Sequence, residues 1–367
     1  MKKFFQAVIG ALGTIVLAIG ALGMSILGTE YRPGDVVQEE VICSDGAQAL
    51  QVDEPFTLMS WNVQYGASRK HQFFYDGGEA VHVPRQDVDE TVAAIGDAIR
   101  AADPQLTLIQ EMDRGSKRTH KVDMLVPWKR AAAASCVATS PYHRSPFVPK
   151  PFTNPLGAVD MHLAILSRSP MRNALRTQLA LLDEPRIVQA FNLKRALLSA
   201  EIAVEGLGEP LAVAVTHLSA FSFGDGTLAA QVAALDAWMA ARPPDQPWIL
   251  AGDMNLLPTG DDKQRLATER DLYADADSPI DPLLARYTEL LGNHRQLLPE
   301  NRTYLPFGAS EPDRKIDYVF IGGPIEVLDA RVMREHASLS DHLPVLARLR
   351  IGRGGAHAVA TPEPPAD

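Results

Sequence analysis

The sequence has few cysteines and no excess of positive charge. Two cysteines in 367 residues exclude a small domain held together by several disulfides. The 35 Lys and Arg residues are outnumbered by 45 Asp and Glu residues, which gives a net charge of −10. Because non-specific binding to nucleic acid depends on massed Lys and Arg, this balance argues against a general nucleic-acid coat protein. It does not exclude an enzyme that binds one phosphate through a metal ion.

The sequence does have enough apolar residues for a large core. Apolar residues make up 46% of the chain and charged residues 22%, which excludes a disordered or collagen-like chain. At this length, one large α/β domain or two ordinary ones are possible. Either would bury a sizeable core without metal ions or many disulfides, so stability need not explain any unusual residues.

One long apolar run opens the chain. Residues 4–28 contain no charged side chain and follow Lys2 and Lys3. About 25 residues at about 1.5 Å per residue are long enough to cross a hydrocarbon core of about 30 Å. The apolar region of a cleaved signal peptide is usually shorter, about 7 to 15 residues. Residues 1–28 are therefore predicted to be a signal-anchor helix that spans the membrane, with a cleaved signal peptide as the alternative.

The flanking charges predict the orientation of this segment. Lys2 and Lys3 precede it, whereas residues 29–55 form an acidic juxtamembrane lead-in that we predict to be irregular. The positive-inside tendency leaves the rest of the protein outside the cytoplasm, on the periplasmic or extracellular face, or secreted if the segment is cleaved. In an oxidising compartment Cys43 and Cys136 could form a disulfide, and two buried thiols are the alternative.

Residues 56–352 contain no internal repeat and no linker, so one globular domain is predicted, followed by a flexible tail over residues 353–367. Short apolar runs bounded by Gly, Pro or Asp predict strands at residues 56–61, 106–110, 163–166, 197–204, 211–216, 248–251, 316–321 and 343–351. Two helices are predicted from a 3.6-residue period, one over Val88 to Ile99 and one over Leu228 to Met239. The first should end at Asp103-Pro104 and the second before Pro243-Pro244.

Polar residues recur where these apolar strands begin or end. They are Asn62 in MSWN, Glu111 in LTLIQE, His217 in AVAVTH, Asp253 and Asn255 in WILAGDMN, Asp317 in IDYVF, and Asp341 and His342 in SDHLPVLA. Each alone has a structural explanation, such as a turn residue or a packed, hydrogen-bonded histidine. A rigid sheet can hold functional groups at its strand ends without disturbing the core. The repeated pattern therefore predicts a single functional site.

The ordered motifs WNVQ, LIQE, THL, GDMN, IDYVF and SDHLP resemble those of the endonuclease/exonuclease/phosphatase family, the metal-dependent phosphoesterases that include deoxyribonuclease I. The resemblance covers about residues 56–350. It implies that residues 56–352 are a catalytic domain with an α/β fold. In that fold two packed mixed β-sheets are flanked by helices as a four-layer sandwich, and the site lies at one sheet edge.

Phosphodiester hydrolysis needs a cation, a base and donors for the developing charge. Oxygen ligands from carboxylates and amides suit Mg²⁺ or Mn²⁺. Glu111 is the first candidate for a metal ligand, and Asp341 and Asn62 are predicted to help directly or through water. A zinc site with Cys and His ligands has no support, since neither cysteine lies near a histidine cluster.

The resemblance also implies roles for the catalytic residues. His342 would act as a general base or as an acid that polarises the phosphate, with Asp317 fixing its tautomer. Asp253 would orient or deprotonate the attacking water, and Asn255 would donate to the transition-state oxygens. His217 would be a second imidazole on the phosphate. The assignment of protons among His342, Asp253 and His217 stays open.

The substrate must be inferred from features that differ between family members. Predicted loops over residues 71–84 and 141–155 carry aromatic residues, and the second adds basic ones. Such residues can stack bases, lie in a lipid interface, or simply pack on their own loop. Arg144, Arg168 and Arg195 are candidate contacts for the substrate phosphate.

The predicted anchor favours a substrate in the same membrane, because tethering raises its effective concentration. The sequence therefore predicts a membrane-anchored, extracytoplasmic phosphoesterase that hydrolyses phosphodiester bonds of phospholipid or sphingolipid headgroups. The alternative is a non-specific nuclease that acts on extracytoplasmic DNA or RNA, with nucleic acid only as substrate. A third possibility, an inactive ligand-binding member, is disfavoured by the complete set of site residues. No stable protein partner is inferred.

Overall fold

Two seven-stranded β-sheets form the centre of this computed structural model. It describes residues 26–220, 224–273, 277–292 and 298–353, with scattered positions between residues 4 and 24. The strands are β1 Val36–Gln38, β2 Val41–Cys43, β3 Leu50–Gln51, β4 Pro55–Asn62, β5 Leu106–Asp113, β6 Cys136–Val148, β7 Gly157–Ser167, β8 Met171–Gln178, β9 Ala196–Ile202, β10 Val204–Glu205, β11 Leu211–His217, β12 Trp248–Asp253, β13 Thr288–Glu289, β14 Asp317–Gly322, β15 Ile325–Val332 and β16 Val345–Ile351. The α-helices are α1 Arg85–Ala102, α2 Leu125–Ala131, α3 Arg186–Gln189, α4 Thr227–Ala240 and α5 Asp281–Arg286.

Both sheets are mixed. The first has the strand order β1-β8-β9-β11-β12-β14-β13, and the second has the order β15-β16-β4-β5-β7-β6-β2. In the first sheet β11 and β12 are parallel, and in the second sheet β4 and β5 are parallel. The other neighbours within these two sheets are antiparallel, and β3 pairs with β10 as a separate two-stranded ribbon. Each parallel pair brings two strand carboxyl ends to the same edge of its sheet.

The sheets pack face to face because alternate residues of their strands are apolar. Leu108 and Ile165 of the second sheet are buried in one core with Val213, Ile249 and Val319 of the first sheet. Residues of the first sheet that point the other way pack under helix α4. This second cluster contains Ala214, Leu250, Phe320, Leu228, Val232 and Leu235. Period-two alternation in the strands thus gives the first sheet two buried faces.

Helix α1 has the apolar stripe that its sequence predicts. Val88, Val92, Ile95 and Ile99 are buried in the core that contains the second sheet, and the helix ends at Ala102. Asp103 follows in the left-handed conformation and its N–H donates to the carbonyls of the last turn, just before Pro104. The prediction of two packed mixed sheets flanked by helices is confirmed.

The prediction that residues 29–55 are irregular is wrong in part. Val36–Gln38 pairs with β8 at the edge of the first sheet, and Val41–Cys43 pairs with β6 at the edge of the second. A disulfide joins Cys43 to Cys136 at that second edge. Each of these edge strands is only three residues long, too short for the sequence to show an alternating pattern. The lead-in over residues 29–55 therefore contributes an edge strand to each sheet.

The predicted loop over residues 141–155 is also different in the structure. Strand β6 continues through this region to Val148, and its register with β7 shifts twice on the way. Pro141, Arg144 and Pro146 interrupt the apolar alternation of β6, which is why the sequence does not predict a strand there.

None of the helices in the described part of the chain has the length and apolar character required to cross a bilayer. Most of the predicted signal-anchor at residues 1–28 lies outside the described residues, as do residues 354–367 of the predicted tail. Both segments stay predictions.

Gly252 of the GDMN motif is required by the close approach of two backbones. It pairs with Thr216 across β11 and β12, and a Cβ on Gly252 would lie 2.1 Å from the Thr216 carbonyl oxygen. We expect Gly252→Ala to lower the free energy of unfolding by about 1–3 kcal/mol or more, because the strands would have to separate. Urea unfolding followed by circular dichroism measures this change.

Gly96→Ala in helix α1 is the matched control. A Cβ there would meet the Ala131 Cβ at 3.6 Å, an ordinary contact, and alanine favours a helix by up to about 1 kcal/mol. This variant should unfold at the same or a higher urea concentration. Equal midpoints for Gly252→Ala and the unchanged protein would contradict the proposed constraint.

Candidate active site

The polar side chains predicted at strand ends meet at one edge of the two sheets. In the first sheet His217 pairs directly with Asp253, and Asp253 pairs with Asp317. In the second sheet Asn62 ends β4 beside the carboxyl end of β5. All four are at least nine-tenths buried. Sheet register alone therefore assembles much of the site.

His342 lies between two carboxylates. Its Nδ1 is 2.9 Å from Asp317 Oδ2, and its Nε2 is 3.5 Å from Asp253 Oδ2. The Trp61 indole N–H donates to the His342 carbonyl at 2.9 Å and fixes the backbone there. Burial opposes a charge on His342, but Asp317 and Asp253 outweigh burial and raise the imidazole pKa well above its usual value. The ring is thus held as an oriented imidazolium.

His217 is also a buried imidazole, but its pKa is shifted in the opposite direction from that of His342. Burial, together with the charges of Arg195 and His342, lowers its pKa well below the usual value. The Glu111 N–H donates to the Tyr142 hydroxyl at 3.2 Å, and that hydroxyl lies 3.1 Å from His217 Nδ1. If the hydroxyl donates to Nδ1, which also lies 3.6 Å from Glu111 Oε1, the ring proton is on Nε2. His217 Nε2 faces Asp253 Oδ2 at 3.3 Å.

Asn62 bridges two carboxylates. Its Nδ2 donates to Glu111 Oε1 at 3.1 Å and to Asp253 Oδ2 at 3.0 Å. Its own Oδ1 accepts the Gln64 N–H at 3.1 Å, so the amide cannot turn over without breaking hydrogen bonds on both sides. In this arrangement Asn62 positions Glu111 rather than presenting its own oxygen to the pocket.

A shift in the pairing register of β5 and β7 directs the Glu111 side chain into the site. The β5–β7 register shifts between Ile109 and Met112, and Glu111 within that interval has φ of 60°. A bulge of this kind redirects one side chain out of the normal alternation. Asn255 also has a positive φ, 51°, and its N–H donates to Asp253 Oδ1 at 3.0 Å. Two of the site residues are therefore held in a backbone conformation that non-glycine residues rarely adopt.

Asp341, which also lines the pocket, is held by hydrogen bonds. Its N–H donates to Gln64 Oε1 at 3.2 Å, and the Ser340 hydroxyl lies 3.3 Å from its Oδ1. Burial raises the pKa of Asp341 to about 6, and the charge of Glu111 adds to this shift. Burial likewise raises the pKa of Asp76 to about 8, with Asp341 and Glu111 contributing.

These groups line a pocket of about 430 Å³. Its lining includes Glu111, His217, Asp253, Asn255, Asp341, His342 and Arg195 from the predicted site. Burial raises the pKa of Asp253 to about 7 and that of Asp341 to about 6, and repulsion from the charge of Glu111 adds to both shifts. A divalent cation would relieve that repulsion, so the donor set fits such an ion. Asp253, Asp317 and His342 also offer ligand atoms that all lie within 4.8 Å of one another and could hold a metal ion.

The structure brings one of the three candidate arginines to this pocket. Arg195 lines it and donates to the His217 carbonyl at 3.4 Å. Arg168 follows β7 at the amino end of β5, where it donates to Asp103 at 2.6 Å. Arg144 is paired with Asp160 at 2.8 Å on the β6–β7 ribbon and does not line the pocket. Arg168 and Arg144 are therefore not brought into the site.

Sequence reasoning missed the pocket residues Gln64 and Asp76, and also Tyr142, which contacts His217 from outside the pocket lining. Gln64 supports Asp341 and Asn62, and it stands two positions after Asn62 in the quoted motif WNVQ. Tyr142 orients His217, yet the sequence marks it only as one aromatic among several in a predicted loop. Asp76 lies in a short turn with no flanking strand, so the strand-end pattern could not identify it.

A sequence model of the Endonuclease/Exonuclease/phosphatase family matches residues 59–342. No curated protein matches the chain in sequence. Among solved structures, the endonuclease/exonuclease/phosphatase from Beutenbergia cavernae is similar to this chain, with 22% identity and a TM-score of 0.54 over 81% of this chain and 72% of that one.

Two further structures share the fold. The human nocturnin catalytic domain with bound sulfate has 16% identity and a TM-score of 0.50, covering 85% of this chain and 96% of that one. The family protein from Leptotrichia buccalis has 10% identity and a TM-score of 0.51, covering 80% and 98%. The sequence match spans most of the chain and the whole site. The protein therefore belongs to the endonuclease/exonuclease/phosphatase family and is an enzyme that hydrolyses phosphoester bonds.

Proposed function

We propose that this protein is a membrane-anchored, extracytoplasmic, divalent-metal-dependent phosphodiesterase whose substrates are the phosphodiesters of phospholipid or sphingolipid headgroups. The observation that carries the chemistry is the buried series Asp317, His342, Asp253 and His217 beside Glu111 and Asp341. The uncharged N-terminal run supports the membrane anchor. The Cys43–Cys136 disulfide supports an oxidising compartment outside the cytoplasm.

Glu111 and Asp341 would hold Mg²⁺ or Mn²⁺, with Asn62 fixing Glu111. Both are hard oxygen donors of the kind these ions prefer. Asp317 and His342 are less suited to a metal because the 2.9 Å bond between them already occupies one atom of each. When bound, the ion would supply positive charge to the phosphate and to the attacking oxygen.

The protein's own groups orient the rest of the reaction. Asp253 Oδ2 faces His217, His342 and Asn62, a position from which it can accept a hydrogen bond from the attacking water. His342, charged and held by Asp317, presents Nε2–H to a phosphate oxygen as charge develops there. Neutral His217 offers its Nε2–H as a second donor to the same region.

The charge of the pocket favours a small headgroup over a long polyanion. In the described part of the chain the Arg and Lys residues of its lining are Arg118, Lys150 and Arg195. Arg118 is already paired with buried Asp113 at 2.9 Å. Nucleic-acid grooves follow the backbone with many free cations. The pocket wall can bind one phosphate group but has few cations for the adjacent phosphates of a nucleic-acid backbone.

One observation favours the alternative, an extracytoplasmic nuclease. The pocket wall includes Tyr65, Phe74, Tyr75, Tyr273 and Tyr304, and aromatic side chains stack on bases regardless of sequence. The two substrate classes can therefore be separated only by direct assay.

The substrate test uses the full chain reconstituted in vesicles that contain phosphatidylcholine and sphingomyelin, with Mg²⁺. We expect release of the phosphorylated headgroup into solution and little nicking of supercoiled plasmid, because the pocket lacks a chain of free cations. Asp253→Ala serves as the inactive control for both assays. Plasmid nicking without headgroup release would replace the lipid proposal with the nuclease.

The mechanism test is His342→Ala. We expect turnover of the small soluble diester bis(p-nitrophenyl) phosphate to fall by about 10²–10⁴-fold, as loss of a proton donor or acceptor typically does. The control is His120→Ala, since His120 bonds only the Val83 carbonyl at 2.8 Å outside the pocket. Thermal unfolding should stay close to that of the unchanged protein in both variants. Near-normal turnover in His342→Ala would contradict the role assigned to the imidazole.

The metal assignment is tested through Glu111→Gln. Chelation should abolish hydrolysis, and added Mg²⁺ or Mn²⁺ should restore it. Glu111→Gln removes one anionic ligand, so the Mg²⁺ concentration for half-maximal activity should rise about 10–100-fold, as with other changes at metal sites. Glu90→Gln on the exposed face of α1 is the matched control. An unchanged Mg²⁺ dependence in Glu111→Gln would exclude this carboxylate as a ligand.

A further inference from the structure

Glu30 is fixed to the body of the protein directly after the N-terminal apolar run. Its Oε1 lies 2.9 Å from Lys194 Nζ, and its Oε2 lies 3.7 Å from Arg186 Nη2 and 3.6 Å from Arg32 Nε. The Glu30 and Lys194 side chains are only 4% and 5% exposed. A buried ion pair of this kind holds its partners in one geometry, unlike a solvated surface pair. Only Thr29 separates Glu30 from Gly28, the last residue of the apolar run.

Lys194 belongs to the segment that forms one wall of the active-site pocket. Its Nζ also donates to the Gln189 carbonyl at 2.6 Å, at the end of α3. Residues 191–193, which precede it, and Arg195, which follows it, line the pocket. The ion pair of Glu30 with Lys194 therefore joins the end of the apolar run to the pocket wall.

Exposed apolar side chains surround the same wall. Ile187 and Val188 of α3 are each 41% exposed, and Phe147 near the end of β6 and Phe152 before β7 are 50% and 81% exposed. Phe147 and Phe152 flank Val148 and Lys150, which line the pocket. The two segments are connected, since His143 Nε2 of β6 lies 2.9 Å from the Phe191 carbonyl. Large apolar side chains clustered on a surface mark an interaction site.

We infer that Phe147, Phe152, Ile187 and Val188 form a bilayer-contacting rim, which the Glu30–Lys194 ion pair holds against the membrane so that the pocket opens toward the lipid headgroups. The inference rests on the proposed membrane anchor. Arg186, Arg32 and Lys150 add exposed positive charge beside the rim. Aromatic and aliphatic side chains with adjacent cations suit the interface of a membrane that contains anionic lipids.

The short chain segment between the apolar run and Glu30 favours the bilayer, rather than a protein partner, as the occupant of this surface. Two residues, from Gly28 to Glu30, span at most about 7 Å. An apolar run that ends in the membrane at Gly28 would therefore keep Glu30, and the pocket wall paired with it, within that distance of the bilayer surface. Because the membrane anchor would place the rim next to the bilayer, a protein partner could bind there only by displacing lipid.

The test places single tryptophans on the rim of the full chain, reconstituted in vesicles of phosphatidylcholine and phosphatidylglycerol that carry bromine on their acyl chains. Phe152→Trp and Val188→Trp should show fluorescence quenching beyond that of the unchanged protein. Leu298→Trp is the matched control, because Leu298 is also exposed, at 40%, but adjoins β15 at the opposite edge of the second sheet from β6. Glu30→Gln in the Phe152→Trp background should reduce the quenching, because the variant no longer forms the ion pair.

Quenching does not depend on which phosphoester the enzyme cleaves, so it separates this inference from the proposed substrate. If both rim tryptophans are quenched no more than the one at position 298, the rim does not contact the bilayer and the inference is overturned. Quenching at the rim with plasmid nicking alone would keep the inference and overturn the lipid substrate.

An activity measurement adds a functional readout. The double variant Phe152→Ser, Val188→Ser should lower headgroup release from vesicles by about tenfold, because the rim would then bury less apolar surface in the bilayer. Hydrolysis of bis(p-nitrophenyl) phosphate should stay unchanged in the same variant. Leu298→Ser should change neither rate. Equal loss of both activities in the double variant would assign these residues to folding or catalysis and contradict the inference.

Discussion

The pairing of strand β12 with its two neighbours is the constraint on which the site depends. Parallel pairing with β11 sets His217 beside Asp253, and antiparallel pairing with β14 sets Asp317 on the other side. Gly252 lets the backbones of β11 and β12 approach closely. A shift of one residue in this register would turn every side chain of β12 to the opposite face, so core packing and the catalytic alignment require the same register.

The second constraint is electrostatic. Glu111, Asp253 and Asp341 share a buried pocket, and a folded domain gains nothing from mutually repelling carboxylates. Asn62 and Ser340 supply donors that partly offset the repulsion. The positive φ at Glu111 and Asn255 adds backbone strain at the same place. Repulsion between carboxylates and backbone strain thus occur together at one sheet edge. A site that binds a cation and a phosphate would produce this combination.

Strands that are buried on both faces could be predicted from the sequence, because their apolar runs are strong, as in β11 and β12. Strand β6 could not, since Pro141 and Arg144 interrupt its pattern, and edge strands such as Val36–Gln38 are too short, at three residues, to show an alternation. The site residues at strand ends were predictable for the same reason as the strands themselves. Arg168 shows the limit, because the sequence gives its position in the chain but not the end of the sheet at which it lies.

The lead-in shows how a segment with little sequence signal becomes part of the fold. It is joined to the first sheet by β1, to the second by β2 and the Cys43–Cys136 disulfide, and to the pocket wall by Glu30 and Lys194. A linker attached at one point leaves a domain free to rotate, whereas attachment at several points removes that freedom. The position of Glu30 against the pocket wall is therefore set together with the backbone pairing that holds the two sheet edges.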